Sequence, residues 1–495
     1  MARPSFYLGG WRPLDGSKGG PCRMPAHHLV THGVVLGMTG SGKTGLLMVL
    51  VEEALRAEVP VLVIDVKGDL PNLLLSFPTF AEAELLPWTA AAVSATDDRP
   101  ADVVAAELAD ERRRGLSAWS IDEAELTAFS QSTDVRVVTP GASAGELLHV
   151  LSSLERRSDR WQHDPESARA ALSAAVSLVL RLLGLDPDPA RSREHVLLSV
   201  LAERRLAAGG PADLGSLLSD LAEPPITRIG ALELDAFLPK RGRRDLSAAL
   251  NTLLASPTFS SWREGATLDI GAWLTPARGR TPAVILSVAH LDDEERALVL
   301  GVVLEEVLSW VRSLPGSQRL RALVVFDEVY GFLPPHPANP PTKRPLVALM
   351  KQARAFGVGV VVATQNPMDL DYRALSNAGL WCLGRLQTDA DRARVLDGLG
   401  AIGHSEDGAS DELGPMLRRL APRCFLMRDA HSERGTVLLQ PRWTMSFMRG
   451  PMTRSEIRMA LEQRRGAAGP SANGPTPKKD QGGPHAKPEV RDQEP

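Results

Sequence analysis

Several stretches of the chain are apolar at nearly every position over the length of one β-strand. They cover residues 32–36, 61–65, 283–288, 323–328, 357–364 and 380–385. A strand that is apolar on both faces must be covered on both sides, as in a parallel sheet flanked by helices. The pattern therefore predicts an α/β fold with a mostly parallel sheet.

The first of these strands is followed at once by a helical pattern. Apolar residues recur at helical spacing over residues 45–57, and the next apolar strand begins at residue 61. Strand, loop, helix and strand in this order form the opening unit of a parallel sheet. The same alternation returns after residue 280, with a helix predicted over residues 293–313.

The change of pattern along the chain predicts its division. Residues 29–81 and 266–450 form the core, and residues 82–265 form a mostly helical insertion that contains one strand, 135–138. Residues 1–28 are a lead-in, residues 423–428 and 436–439 a closing antiparallel pair, and residues 451–465 a last helix. Residues 466–495 contain almost no large apolar side chain, so a disordered tail is expected there.

Composition and charge leave the class of partner open. With 43% hydrophobic and 23% charged residues, the chain is an ordinary globular protein, and its net charge of −4 gives no overall basic surface for nucleic acid. Cys22, Cys382 and Cys424 are far apart, which argues against disulfides and structural zinc and favours the cytoplasm. The most apolar helical stretch, 170–185, contains Arg181 and is too short to span a membrane comfortably.

A glycine-rich loop joins the first strand to its helix and matches the pattern G-x-x-x-x-G-K-[ST]. Its backbone N–H groups are expected to wrap phosphates, Lys43 to reach the β- and γ-phosphates, and Thr44 to hold Mg²⁺. The predicted ATP-binding residues are Gly37, Met38, Thr39, Gly40, Ser41, Gly42, Lys43, Thr44 and Gly45. The strand before the loop and the helix after it are the context that this motif requires.

The strand over residues 323–328 ends in two carboxylates, as a Walker B element does. Asp327 is expected to contact Mg²⁺ through water, and Glu328 to polarise the attacking water. Two further polar residues end neighbouring strands at the same predicted edge, Gln365 and Asp65. Gln365 could orient water or sense the γ-phosphate, with strand capping as its alternative. Asp65 could assist Mg²⁺ or water, with a plain loop role as its alternative.

Two arginines are candidates for a charge supplied by a neighbouring subunit during phosphoryl transfer. Arg354 shares a helix face with Lys351 just before the strand 357–364, and Arg385 ends the strand 380–385. An ordinary solvated helix face is the alternative interpretation. The proline-rich stretch 333–345 follows Walker B and could contact DNA or a neighbour, or be a plain surface loop.

The motifs together resemble the bacterial ATP-binding proteins of the HerA-FtsK superfamily over roughly residues 28–450. The stretches that carry the resemblance are 37–45, Ala363-Thr364-Gln365-Asn366-Pro367 and Leu375-Ser376-Asn377-Ala378-Gly379, while Val66 stands where many relatives have proline. The resemblance implies a RecA-like ATPase core, a ring that is commonly a hexamer, and translocation on double-stranded DNA. It also implies that Lys43, Thr44, Asp65, Asp327, Glu328 and Gln365 serve ATP, and that Arg354 acts across the subunit interface.

Three functions remain open at this point. The first is an oligomeric, DNA-stimulated ATPase motor, in which the link to DNA comes from the resemblance alone. The second is an ATP-dependent switch or assembly ATPase, related to conjugation and secretion ATPases, that acts on a protein partner. A nucleotide-binding scaffold with little turnover is the third, and the presence of both Glu328 and Gln365 disfavours it.

Overall fold

The computed structural model describes residues 4–91, 99–155, 160–365, 367, 370–375, 378–400 and 410–467. The tail predicted over residues 466–495 lies outside the described residues from residue 468 onward. The strands are β1 (Ser5–Arg12), β2 (Gly20–Pro25), β3 (Gly33–Leu36), β4 (Val61–Asp65), β5 (Thr133–Val138), β6 (Leu148–His149), β7 (Arg228–Ile229), β8 (Leu232–Glu233), β9 (Ala266–Thr267), β10 (Thr281–Ser287), β11 (Ala322–Asp327), β12 (Val358–Thr364), β13 (Leu380–Leu383), β14 (Phe425–Asp429) and β15 (Thr436–Pro441).

The α-helices are distributed over the whole described chain. They are α1 (Lys43–Arg56), α2 (Glu82–Leu85), α3 (Ala101–Ser117), α4 (Glu123–Ser132), α5 (Ser152–Glu155), α6 (Arg160–His163), α7 (Pro165–Leu182), α8 (Arg193–Ala207), α9 (Leu214–Ala222), α10 (Leu234–Phe237), α11 (Lys240–Ala255), α12 (Pro257–Arg263), α13 (Ile270–Trp273), α14 (Asp293–Ser313), α15 (Lys343–Gln352), α16 (Tyr372–Leu375), α17 (Asp389–Gly400), α18 (Ser410–Arg419) and α19 (Arg454–Ala467).

One 11-stranded sheet organises the molecule, in the order β2-β1-β15-β14-β13-β3-β12-β11-β4-β10-β5. All neighbours from β13 to β5 run parallel, and the pairs from β13 to β2 are antiparallel. The predicted α/β fold with a mostly parallel sheet is confirmed. The strand that precedes the glycine loop, β3, lies two places from β11, with β12 between them.

Successive side chains of the central strands enter two separate cores, one on each face of the sheet. Val35 and Val63 pack with α1 on one face, while Leu36 and Ile64 pack with the helices of the other face, among them α7, α14 and α15. This alternation explains why the strands are apolar at every position. Both cores therefore support the strands β3, β11 and β12, which end at one edge of the sheet.

The structure differs from the predicted division at two places. The predicted lead-in, residues 1–28, contains β1 and β2, which extend the sheet beyond β15, because the edge of β15 offers unpaired backbone groups. The predicted helical insertion, residues 82–265, supplies β5 to the opposite edge beside β10. Its helices divide between the two faces, since α4 contacts α1 and α7 contacts α14.

A buried cluster of charges fixes α1 to both ends of the described chain. Arg442 is fully buried and donates to Glu52 Oε2 at 2.8 Å and to Glu53 Oε1 at 2.9 Å, both on α1. The remaining oxygens accept from backbone amides, with Tyr7 N at 2.6 Å from Glu53 and Ser446 N at 2.8 Å from Glu52. The cluster is fully hydrogen-bonded, which is the condition for burying charge.

Arg442→Met tests this cluster. The variant leaves Glu52 without a cation and Glu53 with Arg56 alone, so we expect the free energy of unfolding to fall by about 3–5 kcal/mol, measured by denaturant unfolding. Arg228→Met is the matched control, because Arg228 and Glu233 form an ion pair whose side chains are 59% and 67% exposed. Its loss should cost less than about 1 kcal/mol. Equal, small losses in both variants would contradict this account.

Candidate functional site

The glycine-rich loop connects β3 to α1, and two of its glycines cannot be replaced without movement. A Cβ on Gly37 would lie 2.6 Å from Ser41 Oγ and 3.2 Å from Gly384 Cα. Gly42 has a φ of 94° at the N-cap of α1, and a Cβ there would lie 3.0 Å from Arg423 Cγ. Glycine is therefore required at both positions, by close approach at one and by backbone conformation at the other.

Space is open beside two glycines of the loop and the first turn of α1. A Cβ placed on Gly40 or Gly45 would meet no atom within 4 Å. The first amides of α1 have no partner within the helix, and the helix dipole adds partial positive charge at this end. Free N–H groups facing open space are suited to bind a phosphate group.

Lys43 lies across the loop instead of reaching into solvent. Its side chain is buried, and Nζ donates to the carbonyl oxygens of Gly37 at 2.5 Å and Met38 at 3.2 Å. Burial lowers the pKa of this ammonium group to about 8, against the attraction of Glu328, which raises it. The ammonium group is therefore a cation held within the loop that is predicted to bind phosphate.

Asp327 and Asp65 stand side by side at the ends of β11 and β4, where the strand register pairs them. The oxygens of Asp65 accept from the backbone N–H of Gly68 at 3.0 and 3.1 Å and from Ser287 Oγ at 3.1 Å. Burial raises the pKa of Asp65 to about 6. Its hydrogen bonds tie this carboxylate to the turn after β4 and to the last residue of β10.

Asp327 has a buried oxygen that finds no partner. Its Oδ2 has no hydrogen bond within the described part of the chain, and burial, with the neighbouring Asp65 charge, raises its pKa to about 7. A buried carboxylate oxygen without a donor fits a cation. No group of three or more His, Cys, Asp or Glu side chains among the described residues could hold a metal ion. A magnesium ion on Asp327 and Thr44 would accordingly take its other ligands from phosphate and water, as it commonly does.

Glu328 is held by hydrogen bonds at both of its carboxylate oxygens. Its backbone φ is 60°, a left-handed conformation that is rare outside glycine and concentrates at functional positions. Oε2 accepts from Lys67 Nζ at 2.5 Å, and Oε1 accepts from Thr364 Oγ1 at 2.8 Å and Gln365 N at 3.0 Å. Burial alone would raise its pKa, but these hydrogen bonds outweigh burial and hold the pKa below its ordinary value.

Gln365 joins the Walker B strand to the glycine loop. Its backbone N–H donates to Glu328, and its side-chain Oε1 accepts from Thr39 Oγ1 at 2.5 Å. The position follows from the sheet, because β12 lies between β3 and β11 and all three strands end at the same edge. Residues predicted from three separate motifs are thus brought together within hydrogen-bonding distance.

The two candidate arginines lie at opposite edges of the sheet, Arg385 where the parallel strands end and Arg354 where they begin. Arg385 follows β13, and its carbonyl oxygen accepts from Met38 N at 3.0 Å, so it stands beside the loop of its own chain. Arg354 is exposed in a 3-10 helix, Ala353–Phe356, that precedes β12. The seven residues of β12 separate it from the site by roughly 20 Å. Arg354 therefore lies at the opposite edge of the sheet from the phosphate-binding loop of its own chain.

Sequence reasoning missed Lys67 and Thr364 as site residues. Lys67 comes two residues after β4 and Thr364 is the last residue of β12, so both belong to the edge where Asp327 lies. Their positions just after β4 and at the end of β12 could have indicated them. The sequence does not show that Glu328 contacts both residues, because its positive φ cannot be predicted from the pattern of residues.

Residues 12–79 match the family model described as Helicase HerA-like C-terminal. This region holds β3, the glycine loop, α1, β4 and Lys67. No curated protein sequence matches the chain. None of the described helices combines the length and the apolar composition needed to cross a membrane.

Several solved structures resemble the chain at low sequence identity. VirB4 of Thermoanaerobacter pseudethanolicus aligns with a TM-score of 0.49 and 13% identity, over 89% of this chain and 97% of that chain. The bacterial conjugative coupling protein TrwBdeltaN70 gives a TM-score of 0.46 and 15% identity, over 91% and 100%. Plasmid coupling protein TrwB in complex with ADP and Mg²⁺ gives 0.46 and 16%, over 91% and 98%. At these TM-scores the fold assignment rests on the strand order and the loop.

The region that the family model matches contains the glycine-rich loop and β4. The mostly parallel sheet then places the later motifs, ending in Asp327, Glu328 and Gln365, around the same loop. The family model thus confirms the resemblance to the HerA-FtsK superfamily over residues 12–79. The mostly parallel sheet with its glycine-rich loop forms a RecA-like P-loop NTPase core.

Proposed function

We propose that this chain binds ATP with Mg²⁺ and hydrolyses it as a ring-forming motor of the HerA-FtsK type that translocates on double-stranded DNA. The observation that carries the proposal is the hydrogen-bonded connection from Glu328 through Gln365 to Thr39 of the phosphate-binding loop. A phosphate-binding loop alone would support nucleotide binding only. An ionised carboxylate that is fixed beside that loop by hydrogen bonds to both of its oxygens supports hydrolysis.

Each residue of the site has a separate task in this proposal. The amides of residues 37–45 and Lys43 bind the phosphates, while Thr44 and Asp327 hold the metal ion. Bound Mg-ATP would supply the phosphoanhydride and neutralise charge at its phosphates. Glu328 accepts the proton of the attacking water, and Gln365 orients that water.

Lys67 has the task of holding Glu328 in place. It forms the 2.5 Å contact to Oε2, while Thr364 and Gln365 hold the other oxygen. A carboxylate fixed at both oxygens presents a defined lone pair to water. Lys67 is therefore proposed as a residue that positions Glu328, without itself contacting the reacting atoms.

The positions of the two arginines support a proposal for the subunit arrangement. Because Arg354 lies at the far end of β12, we propose that it enters the site of the next subunit in a ring, commonly a hexamer among the proteins that the motifs resemble. Arg385 stands beside Met38 and is proposed to act on its own chain's nucleotide. A single subunit would then bind ATP and hydrolyse it slowly.

Replacing Glu328 or Lys67 should separate binding from hydrolysis. Glu328→Gln is expected to bind ATP within about threefold of the wild type and to lose about 100-fold or more in turnover, because it removes the proton acceptor. Lys67→Met should lose about 10-fold in turnover with binding retained. Binding by calorimetry and steady-state turnover are the measurements, with Lys18→Met on the exposed β1–β2 turn as control. Full turnover in Lys67→Met would contradict its positioning role.

Mixed oligomers test which arginine acts across the interface. Lys43→Ala and Arg354→Ala subunits are each expected to be inactive alone. In a one-to-one mixture, about a quarter of randomly formed interfaces pair an intact Lys43 site with an intact Arg354, so activity should return. A mixture of Lys43→Ala with Arg385→Ala should stay inactive. Recovery only in the second mixture would exchange the roles of the two arginines.

The DNA track is tested by measuring ATP turnover with and without long duplex DNA at two salt concentrations. We expect stimulation by DNA that fades as salt rises, because phosphate contacts release counterions. Lys43→Ala should show no turnover in any condition. Turnover without stimulation would favour a protein partner, and no turnover in the wild type would favour the scaffold.

A further inference from the structure

His32 joins a 3-10 helix, Ala26–Thr31, to β3 in a backbone conformation that residues with side chains rarely adopt. Its φ is 67° and its ψ is 166°, a combination that is almost confined to glycine. The residue is also buried, with 1% of its surface exposed. Glycine would adopt this conformation without strain, so the presence of histidine indicates that the imidazole ring has a task here.

The imidazole ring of His32 bonds to the segment that carries Arg354. We name residues 353–360, from the 3-10 helix that contains this arginine to the first residues of β12, the Arg354 segment. The backbone N–H of Val360 donates to His32 Nδ1 at 3.1 Å. The pairing of β3 with β12 begins at Gly33 and Val361, so the ring extends the contact between the two strands by one position. It thereby holds the end of the Arg354 segment.

The charge of Arg354 acts on His32. Burial and, next, the positive charge of Arg354 lower the pKa of His32 to about 4, while the Met350 backbone raises it. The ring is therefore neutral near pH 7, and because Nδ1 accepts a hydrogen bond, its hydrogen is on Nε2. His32 thus lies near the guanidinium group without placing a second positive charge beside it.

Backbone contacts hold the Arg354 segment on two sides. On one side it approaches the 3-10 helix before β3, since a Cβ on Gly359 would lie 2.6 Å from Leu29 O. On the other side, Arg321 N, just before β11, donates to Gly357 O at 2.7 Å. The side chain of the arginine itself is exposed. An exposed side chain on a segment that is fixed from both sides starts from a defined position.

The strand β3 connects His32 with the phosphate-binding loop of its own chain. The strand consists of four buried residues, Gly33–Leu36, and the loop begins at the next residue, Gly37. His32 precedes this strand at one edge of the sheet, and the loop follows it at the other. One short strand therefore separates the residue that holds the Arg354 segment from the loop that is proposed to bind ATP.

We propose that His32 is a positioning residue for Arg354. Its imidazole ring holds the start of β12, so that the exposed guanidinium group is presented at a fixed place to the neighbouring subunit. This inference rests on the proposed function, because it concerns the same arginine acting across the interface. His32 itself contacts neither the nucleotide nor the reacting atoms, and its effect on turnover is exerted at the site of the next subunit.

Two variants separate the ring from the backbone conformation. His32→Gly suits the positive φ and removes the ring, so we expect turnover at saturating ATP to fall about 10-fold while ATP affinity stays within about threefold of the wild type. His32→Asn keeps an acceptor oxygen near the position of Nδ1 and tolerates positive φ, so it should retain turnover within about threefold. Steady-state turnover and calorimetry are the measurements. Ser120→Gly, at an exposed residue with a φ of 58°, is the matched control and should change neither.

Mixed oligomers show on which subunit the loss acts. In a one-to-one mixture of His32→Gly with Lys43→Ala, about a quarter of random interfaces pair an intact Lys43 with an intact His32, so turnover should rise above that of either variant alone. A mixture of His32→Gly with Arg354→Ala should not rise, because each subunit of that mixture presents a defective Arg354 segment to its neighbour.

Three outcomes would overturn the inference. They are wild-type turnover in His32→Gly, an equal loss in His32→Asn, and recovery with Arg354→Ala but not with Lys43→Ala, which would place the effect of His32 on its own chain's site. Wild-type turnover in Arg354→Ala would instead overturn the proposed role of that arginine in the neighbouring site.

Discussion

The buried contact between Arg442 and the carboxylates of Glu52 and Glu53 is the interaction on which the rest of the site depends. Both glutamates lie on α1, the helix that begins at Lys43 and presents its first amides to phosphate. The same carboxylates accept backbone amides from Tyr7 of β1 and from Ser446 after β15. The helix that binds phosphate is therefore fixed by segments from both ends of the described chain.

The sheet order explains how distant motifs form one site. Lys43, Asp327 and Gln365 are far apart in sequence, but β3, β12 and β11 are neighbours in this order and end at one edge. Because β12 lies between the other two, Gln365 can contact Thr39 and Glu328 together. The other end of β12 follows the 3-10 helix that contains Arg354, so this arginine lies at the opposite edge of the sheet.

Local patterns predicted those parts of the molecule that depend on local physics. Continuous apolar strands and the glycine loop indicated the parallel core, and the carboxylates after β11 indicated the site edge. The strands β1 and β2 escaped prediction because glycines, prolines and charges interrupt their pattern, and pairing with β15 stabilises them. The contacts of Lys67 and Arg423 escaped because they follow from positive φ angles at Glu328 and Arg423, which no periodicity reveals.

The segment after β15 connects α1 with other parts of the structure. Residues 442–449 contain Arg442, which neutralises the glutamates of α1, and Trp443, whose ring centre lies 5.4 Å from the guanidinium carbon of Arg423. Its backbone also supplies Met445 O to Arg112 and Met445 N to Glu52. One short stretch therefore contacts α1, Arg112 of α3 and Arg423, whose backbone N–H donates to Ser41 O of the phosphate-binding loop at 2.9 Å. A shift of this segment would change the packing of α1 and the position of Arg423 against the loop together.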